Sequence, residues 1–260
     1  MQFPHINLQP GGDHQVAQVL DYLGVHGHGP AVKQDLASIP GGDAHDLLEA
    51  AMEAVRITGV SPETFKAVKP GGTAEMRSKG QQQRYVRGLF AGGTFCYQAQ
   101  QVFRGAGLAV HSNEPLDGAI KLTDPYRSAG HSLVDMGADV FTVGRPHPMI
   151  DSTLRAQRLL TEAQDPEVGL LLLDFSLGFS ASPDPAGELA PAISQARAEA
   201  VRRGRQMIVA ASVCGTELDA QGYDRQVSSL EQVGAVVFPS AVAAARFAAD
   251  VAVDLQKVRA

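Results

Sequence analysis

The sequence predicts an α/β domain built on a doubly wound parallel sheet and preceded by a small helical region. Three observations carry this reading. From Arg84 onward, short apolar runs alternate with helical patterns, the order that yields a parallel sheet covered by helices. One run, Val168 to Leu173, holds no polar residue and ends at Asp174, as a central strand buried on both faces requires. Polar segments rich in Gly or Pro follow several runs, where the carboxyl ends of parallel strands present ligand-binding loops.

Along the chain, residues 1–80 read as the helical N-terminal region and linker, and residues 81–260 as the α/β domain. Helices are expected around His14 to Leu23 and Ala44 to Ile57. The second has Leu47, Leu48, Ala51 and Val55 at helical spacing behind Asp43 as N-cap. Chain breakers separate them at Gly24 to Pro30, and Lys69 to Gln83 reads as a linker. Strands follow at Tyr85 to Phe90, Leu108 to His111, Val168 to Leu173, Met207 to Val213 and Ala235 to Phe238. The helices between and after them are Phe95 to Arg104, one starting near Ser152, Ala190 to Arg203, Gln221 to Gln232 and Ala241 to Val258.

Composition narrows the class of function. A chain of 260 residues can bury a substantial core without staples. The net charge of -6, with no basic run, disfavours nucleic acid as a partner. No segment approaches the roughly 20 apolar residues of a membrane span. Cys96 and Cys214 lie far apart without metal-ligand spacing, which fits a reducing, cytoplasmic compartment. His26 and His28 have no third ligand in view, so no metal site is assigned.

Four loops can carry chemistry. Gly92-Gly93-Thr94 lies between a strand and a helix. It can hold an anion such as phosphate on free helix-start N–H groups, or be a plain glycine turn with Thr94 as N-cap. The segment by itself supports both. In Gly144-Arg145-Pro146-His147-Pro148-Met149-Ile150-Asp151, two prolines brace a histidine. Arg145 offers a planar fork for a carboxylate or phosphate, and His147 exchanges a proton near neutrality. Asp151 either orients the imidazole or caps the next helix. The structural alternative pairs Arg145 with Asp151, and the density of functional groups favours chemistry. In the third loop, Cys214 to Gln221, Thr216, Glu217 and Asp219 can contact a polar substrate, or Asp219 only caps the following helix. Cys214 reads as a buried thiol rather than a nucleophile. The fourth, Asp174 to Pro185, is equally suited to a ligand contact and to a turn.

The stretch Tyr85 to Ala99 resembles the strand–glycine turn–helix element of the succinyl-CoA synthetase α subunit. Asp135 to Asp139, Asp165 to Gly178 and Met207 to Gly215 resemble its later segments in order. Arg87-Gly88-Leu89, Gly92-Gly93-Thr94, the octapeptide Gly144 to Asp151 and Cys214-Gly215-Thr216 resemble the FdrA family more closely. The likeness covers roughly the last two-thirds of the chain and implies a flavodoxin-like sheet of the synthetase ligase-domain type. It also implies a subunit of a multi-subunit group-transfer enzyme acting with partner protein subunits. One departure stands out. The synthetase presents a phosphoryl-carrying histidine after its penultimate strand, whereas Gly215 to Arg225 contains none. His131 and His147 are read as lying on a different loop.

The resemblance therefore implies carbamoyl transfer between a small ureide carboxylate, oxalurate-like, and phosphate, with carbamoyl phosphate as the other reactant. In that expectation Gly92, Gly93 and Thr94 hold phosphate and Arg145 and His147 act at the reacting group with Asp151. Gly144, Thr216, Glu217 and Asp219 contact the substrate. The alternatives are an ATP- and CoA-dependent acyl-CoA synthetase subunit and a non-catalytic scaffold subunit.

Overall fold

Seven strands form one fully parallel sheet in the computed structural model, which describes residues 82–257. The helices expected at His14 to Leu23 and Ala44 to Ile57, most of the linker, and His26 and His28 lie outside the described residues. The strands are β1 Tyr85–Phe90, β2 Val110–Ser112, β3 Ile120–Lys121, β4 His131–Asp135, β5 Val168–Ser176, β6 Ile208–Cys214 and β7 Val236–Phe238. The helices are α1 Gly93–Gly105, α2 Asp139–Thr142, α3 Thr153–Gln164, α4 Pro185–Arg202, α5 Tyr223–Gln232 and α6 Ala241–Lys257.

The strand order is β3-β2-β4-β1-β5-β6-β7. From β1 the chain leaves through α1 toward β2; from β5 it leaves through α4 toward β6, in the opposite direction. Such a reversal opens a crevice at the carboxyl ends of the strands, here between β1 and β5. One face of the sheet packs on α1 and α6 through Val86, Phe90, Phe103, Leu170, Leu172 and Ala248. The other packs on α3, α4 and α5 through Leu89, Val134, Leu171, Leu173, Leu159 and Ile193. Alternate residues of β1 and β5 serve opposite cores, because side chains of a strand point to its two faces in turn.

Two strands differ from expectation. β3 and β4 have no strand assigned to them in the sequence reading. His131-Ser132-Leu133-Val134-Asp135 has only two apolar side chains, yet all five residues are buried. His131 is therefore a strand residue and not a loop residue. Its Nδ1 accepts the Val86 N–H at 3.2 Å, and its ring meets those of Tyr85 and Phe103 edge-on. Tertiary hydrogen bonds, which periodicity does not encode, satisfy this strand. Helix α4 begins at Pro185, five residues before the expected Ala190. Proline at the first helical position lacks only an N–H that has no partner there anyway.

Buried charge locks the sheet to α3. Arg87 of β1 bonds Glu162 and Asp165, each at 3.0 Å, and Arg158 reaches the same Glu162 at 2.6 Å. Ser128 donates to Glu162 Oε1, the oxygen that Arg158 also holds, at 2.6 Å, while Arg87 takes Oε2.

Candidate functional site

The carboxyl ends of β4, β1 and β5 bring three loops together. The first is the turn Ala91-Gly92-Gly93 and the start of α1. Gly92 is extended, with φ -163 and ψ 168, and a Cβ there would meet nothing within 4 Å. Its conformation does not require glycine. Thr94 is inside the first turn of α1, and Gly92 takes the N-cap position without a side-chain bond; the Thr94 cap is not formed. No acidic residue occupies the first turn of this 13-residue helix. Its leading N–H groups and dipole therefore favour a negative partner.

The second element is the end of β4. Asp135 is 6% exposed and closely fixed. Asn113, itself buried, donates to the Asp135 carbonyl at 2.8 Å and accepts its N–H at 2.9 Å. Asp135 Oδ1 accepts the Gly137 N–H at 2.8 Å. Its Oδ2 stands 3.2 Å from where a Gly93 Cβ would be. Its charge also reaches α1, where burial first and then Asp135 push the Cys96 thiol and the Tyr97 hydroxyl up.

The third element is the loop from α2 to α3. His147 Nδ1 accepts the Met149 N–H at 3.2 Å, so in the neutral ring the proton sits on Nε2. That Nε2 lies over Gly137: a Cβ on Gly137 would be 2.7 Å from it, 2.7 Å from the Ala91 carbonyl oxygen and 3.2 Å from Asp135 Oδ1. Gly93 and His147 thus flank the same carboxylate. Gly144 has φ +75, a left-handed conformation that glycine adopts without strain. Arg145 beside it is exposed and makes no ion pair with Asp151 among the described residues. Asp151 caps: its Oδ1 accepts the Thr153 N–H at 2.8 Å at the start of α3, and those bonds to Thr153 lower its pKa. The carboxylate that shares the Gly137 opening with His147 is Asp135.

Beneath these loops, Asp174 of β5 is buried with Arg155 of α3. Arg155 Nη2 donates to Asp174 Oδ1 at 2.7 Å and to the Leu89 carbonyl at 2.8 Å, and Asp174 Oδ1 also accepts the Ala91 N–H at 2.8 Å. Burial pushes the Asp174 carboxyl up and the Arg155 guanidinium down. Their attraction opposes both shifts, and His147 adds positive charge that favours the Asp174 anion. Sequence reasoning did not single out Arg155, Gly137 or Asp135 as site residues. A usable signal for Asp135 is an acid that closes an apolar stretch near the carboxyl end of a strand, as Asp174 does after Val168 to Leu173, once His131–Asp135 is known to be a strand.

The loop after β6 stands beyond β5 from His147. Asp219 Oδ2 accepts the Thr216 N–H at 2.6 Å, so it closes its own loop rather than capping α5. Glu217 meets that helix instead, accepting the Asp224 N–H at 2.6 Å. Cys214 is half-buried rather than buried. The loops are stitched through Ser182, whose N–H bonds the Met149 carbonyl at 2.7 Å and whose carbonyl accepts Gln221 Nε2 at 3.1 Å. A cleft of about 560 Å³ elsewhere, lined by Arg197, Met207 and Gln232, contains none of these residues. No helix among the described residues is long and apolar enough to cross a membrane.

Comparison with known proteins gives the family of the chain. The family model described as CoA-ligase matches residues 89–251. A curated relative from Escherichia coli (strain K12), "Uncharacterized protein YahF", is 40% identical over 200 residues, covering 76% of this chain and 39% of the relative. Among solved structures, a Ca. Korarchaeum cryptofilum dinucleotide forming acetyl-coenzyme A synthetase 1 in complex with phosphate and ADP is 16% identical. The match covers 88% of this chain and 44% of that one with a TM-score of 0.44. PH0766 from Pyrococcus horikoshii OT3 is 15% identical over 79% of this chain and 43% of that one, TM-score 0.43. The chain spans less than half the length of each of these proteins.

Proposed function

The chain belongs to the CoA-ligase family, and from that premise we propose that it is a subunit of an acyl-CoA synthetase-like group-transfer enzyme. The observation that carries the reading is the gathering of the α1 start, Asp135 and His147 around the end of β1. In this reading the Gly93 and Thr94 N–H groups hold the phosphoryl oxygens of an acyl phosphate. Arg145 steadies the acyl end, and Thr216, Glu217 and Asp219 offer polar contacts on the far side of the loop after β5. The CoA sulfur attacks the acyl carbon, the carbon–oxygen bond to phosphate breaks, and phosphate leaves. His147 Nε2–H gives its proton to the departing phosphate and takes the thiol proton in its place. Partner subunits, in a reducing cytoplasm, supply the acyl phosphate and CoA.

The absence of a histidine from Gly215 to Arg225 supports a chain that receives an activated acyl group and does not relay a phosphoryl group itself. His131 is a poor substitute, because it is buried at the start of β4 with Nδ1 taken by Val86. The test is consumption of CoA thiol by the native assembly given short acyl phosphates. His147→Ala is expected to slow it by about 100-fold, the lower range for losing an acid–base group. An assembly that consumes no thiol with any acyl phosphate removes the reading.

The missing histidine also favours a second reading, the FdrA-type carbamoyl transfer between an oxalurate-like ureide carboxylate and phosphate. That reaction needs neither ATP, CoA nor a phosphohistidine. Its support is this departure and the sequence likeness alone. Carbamoyl phosphate formed from a ureide carboxylate and phosphate by the assembly decides for it. If neither substrate class turns over while the assembly forms normally, the chain is a scaffold subunit.

A further inference from the structure

We infer that Asp135 is the positioning residue of His147, acting through the opening that Gly137 leaves between them. This rests on the reading in which His147 moves a proton at the site, and it names the carboxylate that aims that proton.

The two ring nitrogens of His147 have different surroundings. In the neutral ring Nδ1 accepts the Met149 N–H. Nε2 therefore carries the neutral ring's proton, and Nε2, Asp135 Oδ1 and the Ala91 carbonyl oxygen all stand within 3.2 Å of the point that a Gly137 Cβ would occupy. Any side chain at Gly137 would fill this space. Asp135 is a rigid anchor for such a task, because Asn113 clamps its backbone on both sides and the Gly137 N–H holds Oδ1. Asp151, the carboxylate nearest in sequence, is exposed and bonded to Thr153.

Among the described residues, several other charged and titratable groups surround the pair. Asp174, paired with Arg155 of α3, faces His147 from β5. Cys96 and Tyr97 face Asp135 from α1, and burial with the Asp135 charge keeps both neutral. Arg145 and Asp151 are on the histidine's own loop, in solvent. Asp174 is already compensated by Arg155, which leaves Asp135 as the carboxylate that stabilises a protonated His147.

The experiment is an NMR titration of His147 in the full chain labelled with ¹³C-histidine, the resonance assigned by its loss in His147→Ala. Asp135→Asn keeps an acceptor for the Gly137 N–H and removes the charge. It is expected to lower the His147 titration midpoint by about one pH unit, as removal of a neighbouring opposite charge does. Gly137→Ala, which displaces the ring without altering a carboxylate, is expected to lower it as well, and Asp151→Asn to leave it in place. In the active assembly, the limb of the pH–rate profile assigned to His147 moves with the midpoint. A midpoint unmoved in both Asp135→Asn and Gly137→Ala, or moved only in Asp151→Asn, overturns the inference. Full activity of His147→Ala would instead overturn the proton-transfer reading and leave the titration result standing.

Discussion

The Arg155 guanidinium and the Asp174 carboxylate meet at 2.7 Å beneath the end of β1, with their side chains only 3% and 2% exposed. The same arginine bonds the Leu89 carbonyl, and the same aspartate accepts the Ala91 N–H. This one pair therefore fixes the height at which the Ala91-Gly92-Gly93 turn leaves the sheet. Everything that gathers above it depends on that height.

Removing one partner leaves the other charged and unpaired in the core. Arg155→Met is expected to cost about 3–5 kcal/mol in denaturant unfolding, and the double variant Arg155→Met, Asp174→Leu distinctly less. Equal losses in the two variants would show that the arginine acts by packing alone.

A second expectation concerns acid. Burial, and then the Arg87 and His111 charges, lower the His131 pKa to about 4. In the unfolded chain this histidine takes up a proton near pH 6.5, so between these values the unfolded state binds more protons than the folded one. The stability that His131 contributes as a neutral ring is present above about pH 6.5 and is lost as the pH falls toward 4. The loss amounts to roughly 3 kcal/mol at most. His131→Gln is expected to flatten that part of the stability–pH curve; an unchanged slope would place the acid sensitivity elsewhere.

The two thiols differ in access. Cys96 is fully buried on α1 and its pKa is raised by burial and by Asp135, whereas Cys214 is half-buried at the end of β6. A thiol reagent at mildly alkaline pH is expected to label Cys214 first and to reach Cys96 only on unfolding. Peptide mass spectrometry on the folded chain reads this directly, and labelling of Cys96 at the rate of Cys214 would contradict it.

Glycines at the site separate space from conformation. Gly137→Ala would place a methyl 2.7 Å from the Ala91 carbonyl oxygen and is expected to cost about 1–3 kcal/mol, as overpacking does. Gly92→Ala, in open space, is expected to stay within about 1 kcal/mol, since the loss of an N-cap glycine and the gain in chain entropy oppose each other. If the Gly92→Ala protein is stable yet inactive in the assembly, a ligand approaches the backbone there. If it is fully active, the turn is structural.

Most of the α/β alternation was legible in the sequence. Val168 to Leu173 has a composition that only a doubly covered strand suits, and the helices around it carry regular apolar spacing. β4 was not legible, because its five buried residues include a histidine, a serine and an aspartate. These are satisfied by Val86, Ala129 and Asn113, partners 3 to 45 residues away in the chain. Arg155 was equally silent. An arginine on an amphipathic helix reads as solvated until the fold turns it inward onto Leu89 and Asp174.

The sequence by itself determined the alternation of elements, the glycine turn, the proline-braced histidine and the absence of a histidine from Gly215 to Arg225, since each is a matter of residue type and local spacing. Only the tertiary structure decided which carboxylate stands at His147 and which merely caps a helix. Asp151 is four residues from His147 and bonds Thr153, whereas Asp135 is twelve residues away and faces the same glycine. Nearness in space is set by strand order and by what a missing side chain leaves open, and neither can be read along a line.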